Sequence, residues 1–141
     1  KIIKNSNTKK VVIFSRDELK QYELSKNLKK YEKKTRFLIG DVRNRTRIEE
    51  AIADCNIVVH AAALKQVDTC ENNPEEAINT NVYGSINVIK AALKKNVEKC
   101  ILISTDKAVN PINLYGSTKL TAEKMFISSN LISGAKKICC H

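Results

Sequence analysis

The chain has 141 residues, enough for one domain with a buried core, and 43% of them are hydrophobic. It holds no apolar run near the roughly 18 residues that a membrane helix needs and no signal-peptide pattern, so neither a membrane partner nor export is expected. Its net charge of +10 is local: residues 1–47 carry 15 basic against 5 acidic side chains, and the rest carries ten of each. The excess is a lysine-rich surface around Lys26–Lys34 with few aromatic residues and no nucleic-acid reader motif, so no nucleic-acid partner is expected.

Lys1–Lys4 reads as the tail of an element that began earlier, followed by a polar loop, Asn5–Lys10. Val11–Phe14 predicts a buried strand. Ser15-Arg16-Asp17-Glu18 then fits a capping box with Ser15 as N-cap, opening a helix that runs to about Tyr31. Arg36–Ile39 predicts a second strand closed by Gly40-Asp41-Val42, and Thr46–Ala53 a short helix. Ile57–His60 predicts a third strand opening into Ala61-Ala62-Ala63. Pro74 suits the first turn of a long helix to about Lys95, with Ile78, Val82, Ile86, Ile89 and Leu93 as its apolar stripe. Cys100–Ser104 is an apolar run short enough for a fully buried strand. A helix from about Leu114 to Leu131 follows, and Ile138–Cys140 begins a fifth strand. Strands alternating with helices predict parallel βαβ units in an α/β, doubly wound sheet, as one domain over residues 1–141.

The chemistry concentrates in CILISTDKAVNPINLYGSTK, Cys100 to Lys119. The strand ends in Thr105-Asp106-Lys107, three reactive side chains at the carboxyl edge where such sheets open a crevice. Tyr115 and Lys119, four apart, fall on one helix face. A phenol titrates near pH ~10, and a neighbouring ammonium favours its phenolate. Tyr115 is therefore suited to taking a proton from a substrate hydroxyl while a hydride leaves the same carbon. The cysteines, Cys55, Cys70, Cys100, Cys139 and Cys140, form no C-x-x-C, so reduced thiols in a cytoplasm are expected and no metal site.

A dinucleotide-binding sheet usually carries a glycine-rich turn after its first strand. Gly40, Gly84, Gly116 and Gly134 stand too far apart to form one. If Val11–Phe14 is the second strand, then the first strand and its glycine turn are missing. On that reading the chain is a partial Rossmann domain.

With FSRDELKQ (Phe14–Gln21), IGDVR (Ile39–Arg43), HAAALKQV (His60–Val67), TNVYG (Thr80–Gly84) and STDKAVNPINLYGSTK (Ser104–Lys119) in view, the chain resembles the extended short-chain dehydrogenase/reductases. Within them it is similar to the inverting UDP-N-acetylglucosamine 4,6-dehydratases, which open pseudaminic acid synthesis. The likeness extends to about residue 134; Ile138 to His141 departs from the pattern and reads as a truncation or reading-frame scar. It implies an NADP-dependent enzyme acting on a UDP-sugar, as a homo-oligomer, and, set against a full member of the family, a C-terminal substrate domain that is missing here. Tyr115 would deprotonate the sugar 4-hydroxyl, and Lys119 would hold the nicotinamide ribose. Thr105 would hydrogen-bond the same oxygen as Tyr115. Lys107 would remove the C5 proton if desolvation or nearby cations lower its pKa, and Asp106, if its pKa is raised, would protonate the departing 6-hydroxyl. Related dehydratases carry glutamate where Lys107 stands, and that difference points to the inverting branch.

Cofactor contacts follow the same pattern. Ser15 and Arg16 end the strand where an acid would select NAD, and Lys20 lies one turn on, so NADP is expected. Asp41 and Val42 would border the adenine. Ala61, Ala62 and Ala63 are small enough for a dinucleotide to cross, with Lys65 beside it. Asn81 is a weaker contact, and His60 is read as structural. The competing readings are a sugar-nucleotide epimerase, a retaining dehydratase, and an inactive Rossmann remnant.

Overall fold

The computed structural model describes residues 2–4, 7–133 and 137–140. Lys1, Asn5 and His141, on which the expected tail, loop start and scar end fall, lie outside the described residues. The chain divides into two compact units, Lys1–Asp41 and Val42–His141.

In the first unit β1 (Val11–Ser15) pairs in parallel with β2 (Thr35–Ile39), from Val11 opposite Thr35 to Ser15 opposite Ile39. The crossover between them is α1 (Glu18–Asn27). Because β1 keeps its pairing through Ser15, whose carbonyl accepts from the Gly40 N–H at 3.0 Å, Ser15 is not the helix cap. Asp17 takes that place, its Oδ1 accepting from the Lys20 N–H at 2.9 Å. The helix also ends earlier than expected. Lys29–Lys34 forms a 3-10 segment, with Tyr31 at φ −115°. A continued helix would stack Lys26, Lys29, Lys30, Lys33 and Lys34 one turn apart, each like-charge pair costing about 0.2–0.5 kcal/mol. Gln21 is buried, and its Nε2 lies 2.9 Å from the Leu38 carbonyl and 3.1 Å from the Ser15 carbonyl and hydroxyl, tying α1 to both strands.

In the second unit α2 (Arg45–Ala51) starts on Asn44, whose Oδ1 accepts from the Arg47 N–H at 3.0 Å. Then come β3 (Ile57–His60), an unforeseen short α3 (Val67–Asn72), and α4 (Pro74–Ile78) with Pro74 in its first turn. The helix from Pro74 continues through a π turn, Asn79–Tyr83, into α5 (Gly84–Lys94). A π turn inserts a residue and shifts the phase of a helical stripe. The expected stripe is accordingly buried only at Ile89; Ile78 is exposed, and Val82, Ile86 and Leu93 are half-buried. The buried face is Ala77, Asn81, Gly84, Ser85, Val88, Ala91 and Ala92. These small residues allow close approach: a Cβ on Gly84 would stand 2.7 Å from Val42 Cγ2.

β4 (Lys99–Leu102) pairs in parallel with β3 and with β5 (Lys137–Cys140), in the order β3-β4-β5. It is shorter than expected and buried on one face: Cys100 and Leu102 are 1% exposed, Ile103 45%. On β3, Ile57 and Val59 are exposed in the same alternation. The other face is covered by α5 and by α6 (Leu114–Ser133), which contributes the fully buried Ala122 and Phe126. All strand pairs are parallel, the mixed α/β arrangement expected of βαβ units. Among the described residues no helix is long and apolar enough to cross a membrane.

Candidate active site

α6 opens on a cluster of caps. Asn113 Oδ1 accepts from the Gly116 N–H at 2.8 Å, and Glu71 Oε1, from α3, accepts from the Leu114 N–H at 2.8 Å. Both satisfy otherwise orphaned donors of the first turn and set an acceptor against its positive end. Tyr115 lies on that turn, half-buried. One turn on, Lys119 is only 4% exposed, and its Nζ donates to the Ile103 carbonyl at 2.6 Å.

Between them Thr118 donates to the Tyr115 carbonyl at 2.8 Å and accepts from Asn81 Nδ2 at 3.0 Å. Asn81, 1% exposed, also holds the Leu64 backbone, accepting from its N–H at 2.8 Å and donating to its carbonyl at 2.9 Å. Asn81 was expected as a cofactor contact. Its amide is instead committed to protein groups, and it ties the loop after β3 to the Tyr115 turn. The network continues through Ser85, which donates to the Asn81 carbonyl at 2.6 Å and stands 3.0 Å from His60 Nε2. With the single Ser85 proton so engaged, His60 must donate from Nε2 and is the neutral Nε2–H tautomer. Burial, and secondarily the Lys119 charge, push the His60 pKa down to about 4. Its ring stacks on Phe126 at 6.1 Å. This is the structural histidine expected.

Thr105-Asp106-Lys107 enters a 3-10 turn, Asp106–Ala108. The Thr105 hydroxyl donates to Asp106 Oδ1 at 3.0 Å, and the Lys107 N–H donates to the same oxygen at 2.9 Å. Lys107 Nζ lies 3.7 Å from it. The hydrogen bond from Thr105, then the Lys107 charge, hold the Asp106 carboxyl below the usual carboxylate range. This is opposite to the raised value expected of a general acid; the carboxylate is 87% exposed, so water stabilises its charge as well. Lys107 is half-exposed and faces an anion rather than a cation. The turn and the helix head nevertheless meet closely: a Cβ on Gly116 would stand 2.3 Å from the Lys107 carbonyl oxygen.

The expected cofactor residues fall as follows. In the first unit, Ser15 ends β1 and Arg16 follows it, half-exposed, its Nη1 3.4 Å from Asp41 Oδ2. Lys20 is exposed and pairs with Asp17 at 3.1 Å. In the second unit, Val42 is 8% exposed, and its carbonyl accepts from Asn87 Nδ2 at 3.1 Å. Its side chain packs at Gly84, so it offers little surface to a base. Ala61 and Ala62 are exposed, Ala63 is half-buried, and Lys65 is exposed.

Sequence reasoning missed Glu123, which accepts from the Ser104 hydroxyl. It stands four residues past Lys119 and eight past Tyr115, on the same helix face, so the spacing that singled out the pair extends to it. Asn113, directly before the expected helix, carries the ordinary signal of a cap. Glu71 and Gln21 left no signal, because the Leu114 N–H and the Leu38 carbonyl that they meet are brought near by folding.

The family described as "Polysaccharide biosynthesis protein" matches residues 1–140. The chain is 47% identical over 136 residues to the UDP-N-acetylglucosamine 4,6-dehydratase (inverting) of Campylobacter jejuni subsp. jejuni serotype O:23/36, covering 96% of this chain and 40% of that protein. It is 50% identical over 133 residues to the UDP-glucose 4-epimerase of Rickettsia rickettsii, covering 94% of this chain and 38% of that one. Among solved structures, Pen from Bacillus thuringiensis superimposes with a TM-score of 0.88 at 42% identity, over 92% of this chain and 40% of that one. The dTDP-glucose 4,6-dehydratase DesIV of Streptomyces venezuelae shares the fold, with a TM-score of 0.82 at 16% identity over 94% of this chain and 46% of its own. The chain thus spans about two fifths of the curated relatives it matches. The Rossmann-type α/β fold and the match over nearly every residue lead to one conclusion: this chain belongs to the polysaccharide biosynthesis protein family.

Proposed function

We propose that the parent gene product containing these residues is an NADP-dependent UDP-N-acetylglucosamine 4,6-dehydratase that inverts C5. It would be cytoplasmic and homo-oligomeric, and would supply pseudaminic acid or a related surface glycan. The observation that carries the reading is the meeting of the Thr105–Lys107 turn with the head of α6, where Gly116 leaves no room between Tyr115's turn and the Lys107 carbonyl. The 47% identity to a protein of that name supports the substrate.

Residues of each unit, taken separately, suit one part of a nicotinamide dinucleotide phosphate. Arg16 offers the guanidinium that a 2′-phosphate pairs with, and Ala61 and Ala62 leave the end of β3 free of bulk. Bound, the cofactor supplies hydride acceptance from C4 and its return to C6. Tyr115 takes the 4-hydroxyl proton, and Thr105 donates to the same oxygen. Lys119, held by the Ile103 carbonyl, directs its charge at the ribose and the phenol. The 4-ketone acidifies C5–H, and Lys107 removes that proton. Asp106, in its protonated form, gives its proton to the 6-hydroxyl, which leaves as water, and C5 then takes a solvent-derived proton on the face opposite the one it lost. For these two roles the sugar has to strip water from Lys107 and Asp106 and break their mutual contact, because both are solvated in this structure.

The test is incubation with UDP-N-acetylglucosamine in deuterated water, followed by proton NMR. A 4-keto-6-deoxy product with inverted, deuterated C5 is expected. The epimerase reading, favoured by the 50% identical rickettsial relative, predicts instead a C4 epimer that keeps its 6-hydroxyl. An unchanged sugar with NADP bound refutes both substrates.

A further inference from the structure

Three residues of α6, Gly116, Lys119 and Glu123, are spaced by three and four and so form one stripe along the helix. Each meets the segment by which the chain leaves β4. Gly116 lies against the Lys107 carbonyl, Lys119 Nζ donates to the Ile103 carbonyl, and the Glu123 carboxylate accepts from the Ser104 hydroxyl. The ladder of β4 ends at Leu102, and the Ile103 N–H still donates to the His60 carbonyl at 3.0 Å, so residues 104–107 are the stretch that lies beyond this strand pairing. In these contacts Gly116 and Lys119 meet backbone groups, whereas Glu123 meets a side chain, the one immediately before Thr105.

We propose that Glu123 is a positioning residue: through Ser104 it fixes the backbone that aims Thr105 and Lys107 at the substrate. The proposal rests on the catalytic reading of those two residues for its consequence, but not for its geometry. The bond is charge-assisted and part-buried, and such bonds are stronger and more directional than neutral ones. The turn downstream is closed by local bonds, among them those of the Thr105 hydroxyl and the Lys107 N–H to Asp106 Oδ1. The Ala108 N–H donates to the Thr105 carbonyl at 3.1 Å, and the Val109 N–H to the Asp106 carbonyl at 3.1 Å. Their strength therefore reports on how well Ser104 is held.

The first measurement is amide hydrogen exchange on this chain. Glu123→Ala should speed exchange at Ala108 and Val109 roughly tenfold, the loss of a charged hydrogen bond, and leave the amides of β1 unchanged. Ser104→Ala should do the same. The double variant should be no faster than either single one, because both remove one bond. Glu123→Gln keeps an acceptor at the same reach and should restore most of the protection. Unchanged exchange at Ala108 and Val109 in both single variants overturns the proposal, as does additivity in the double variant. The second measurement is turnover of the parent gene product, where Glu123→Ala should lower kcat with little change in KM and Glu123→Gln should recover part of it. Faster exchange with unaltered kcat would leave Glu123 holding the turn and would count instead against Thr105 and Lys107 as catalytic groups.

Discussion

His60 gives a quantitative handle on the buried network behind the Tyr115 turn. Its ring is 4% exposed, and its pKa is depressed from 6.5 to about 4, first by burial and then by the Lys119 charge. A base whose folded pKa is depressed prefers to be neutral in the native state, so protonation favours the unfolded chain. Above the unfolded value of 6.5 neither state is charged and stability is full; it declines as pH falls towards about 4 and levels off below. At 1.36 kcal/mol per unit, the span amounts to about 3 kcal/mol. The perturbation is His60→Gln, which keeps a donor for Ser85 and removes the titration. Urea unfolding of both proteins, followed by circular dichroism at about pH 7.5 and about pH 4.5, isolates the residue, because other titrating groups cancel in the difference of differences. The wild type should lose about 2–3 kcal/mol more than the variant on acidification. Equal losses, to within about 0.5 kcal/mol, would refute both the neutral assignment and the network built on it. Nitrogen NMR of the imidazole supplies a direct check, since it should report an Nε2–H tautomer at neutral pH.

The other predictions concern separate parts of the chain. In the parent gene product Lys107→Ala should leave NADP bound while stopping C5 proton exchange with solvent; continued exchange would remove Lys107 from the mechanism. Arg16→Ala should weaken NADP more than NAD, seen as a larger rise in the dissociation constant for the phosphorylated cofactor, and equal weakening of both would refute a 2′-phosphate contact. Gly116→Ala places a methyl 2.3 Å from the Lys107 carbonyl and should destabilise the second unit by roughly 1–3 kcal/mol of overpacking, measurable by denaturation. Asn44→Ala removes the α2 cap and should cost about 1 kcal/mol without altering Ala108 exchange.

The exposed carboxylate and ammonium of Asp106 and Lys107 bear on how such a site can work. Two groups that neutralise each other in water are poor proton donors and acceptors until something displaces the water. Lys119, by contrast, is buried and held by a backbone carbonyl, whereas Asp106 and Lys107 stand open to water.

Much of this protein was determined by its sequence alone. Apolar runs, Pro74 and the alternation of strand with helix settled the parallel α/β class, because side-chain periodicity is a local property of the backbone. The Ile57–His60 strand was legible to the residue, and the spacing of Tyr115 and Lys119 put both on one helix face. Tertiary structure decided the rest. Ser15 loses the capping role to Asp17 because pairing with Ile39 keeps it in the strand. The stripe of α5 shifts because a π turn, invisible in hydrophobic pattern, inserts a residue before Gly84. Asn81 turns from a candidate ligand contact into a bracket because folding sets the Leu64 backbone and Thr118 against its amide. The protonation preferences of His60 and Asp106 were likewise beyond the sequence. They depend on how far water is excluded and on which charges stand within a few ångströms, and neither quantity is carried by residue order.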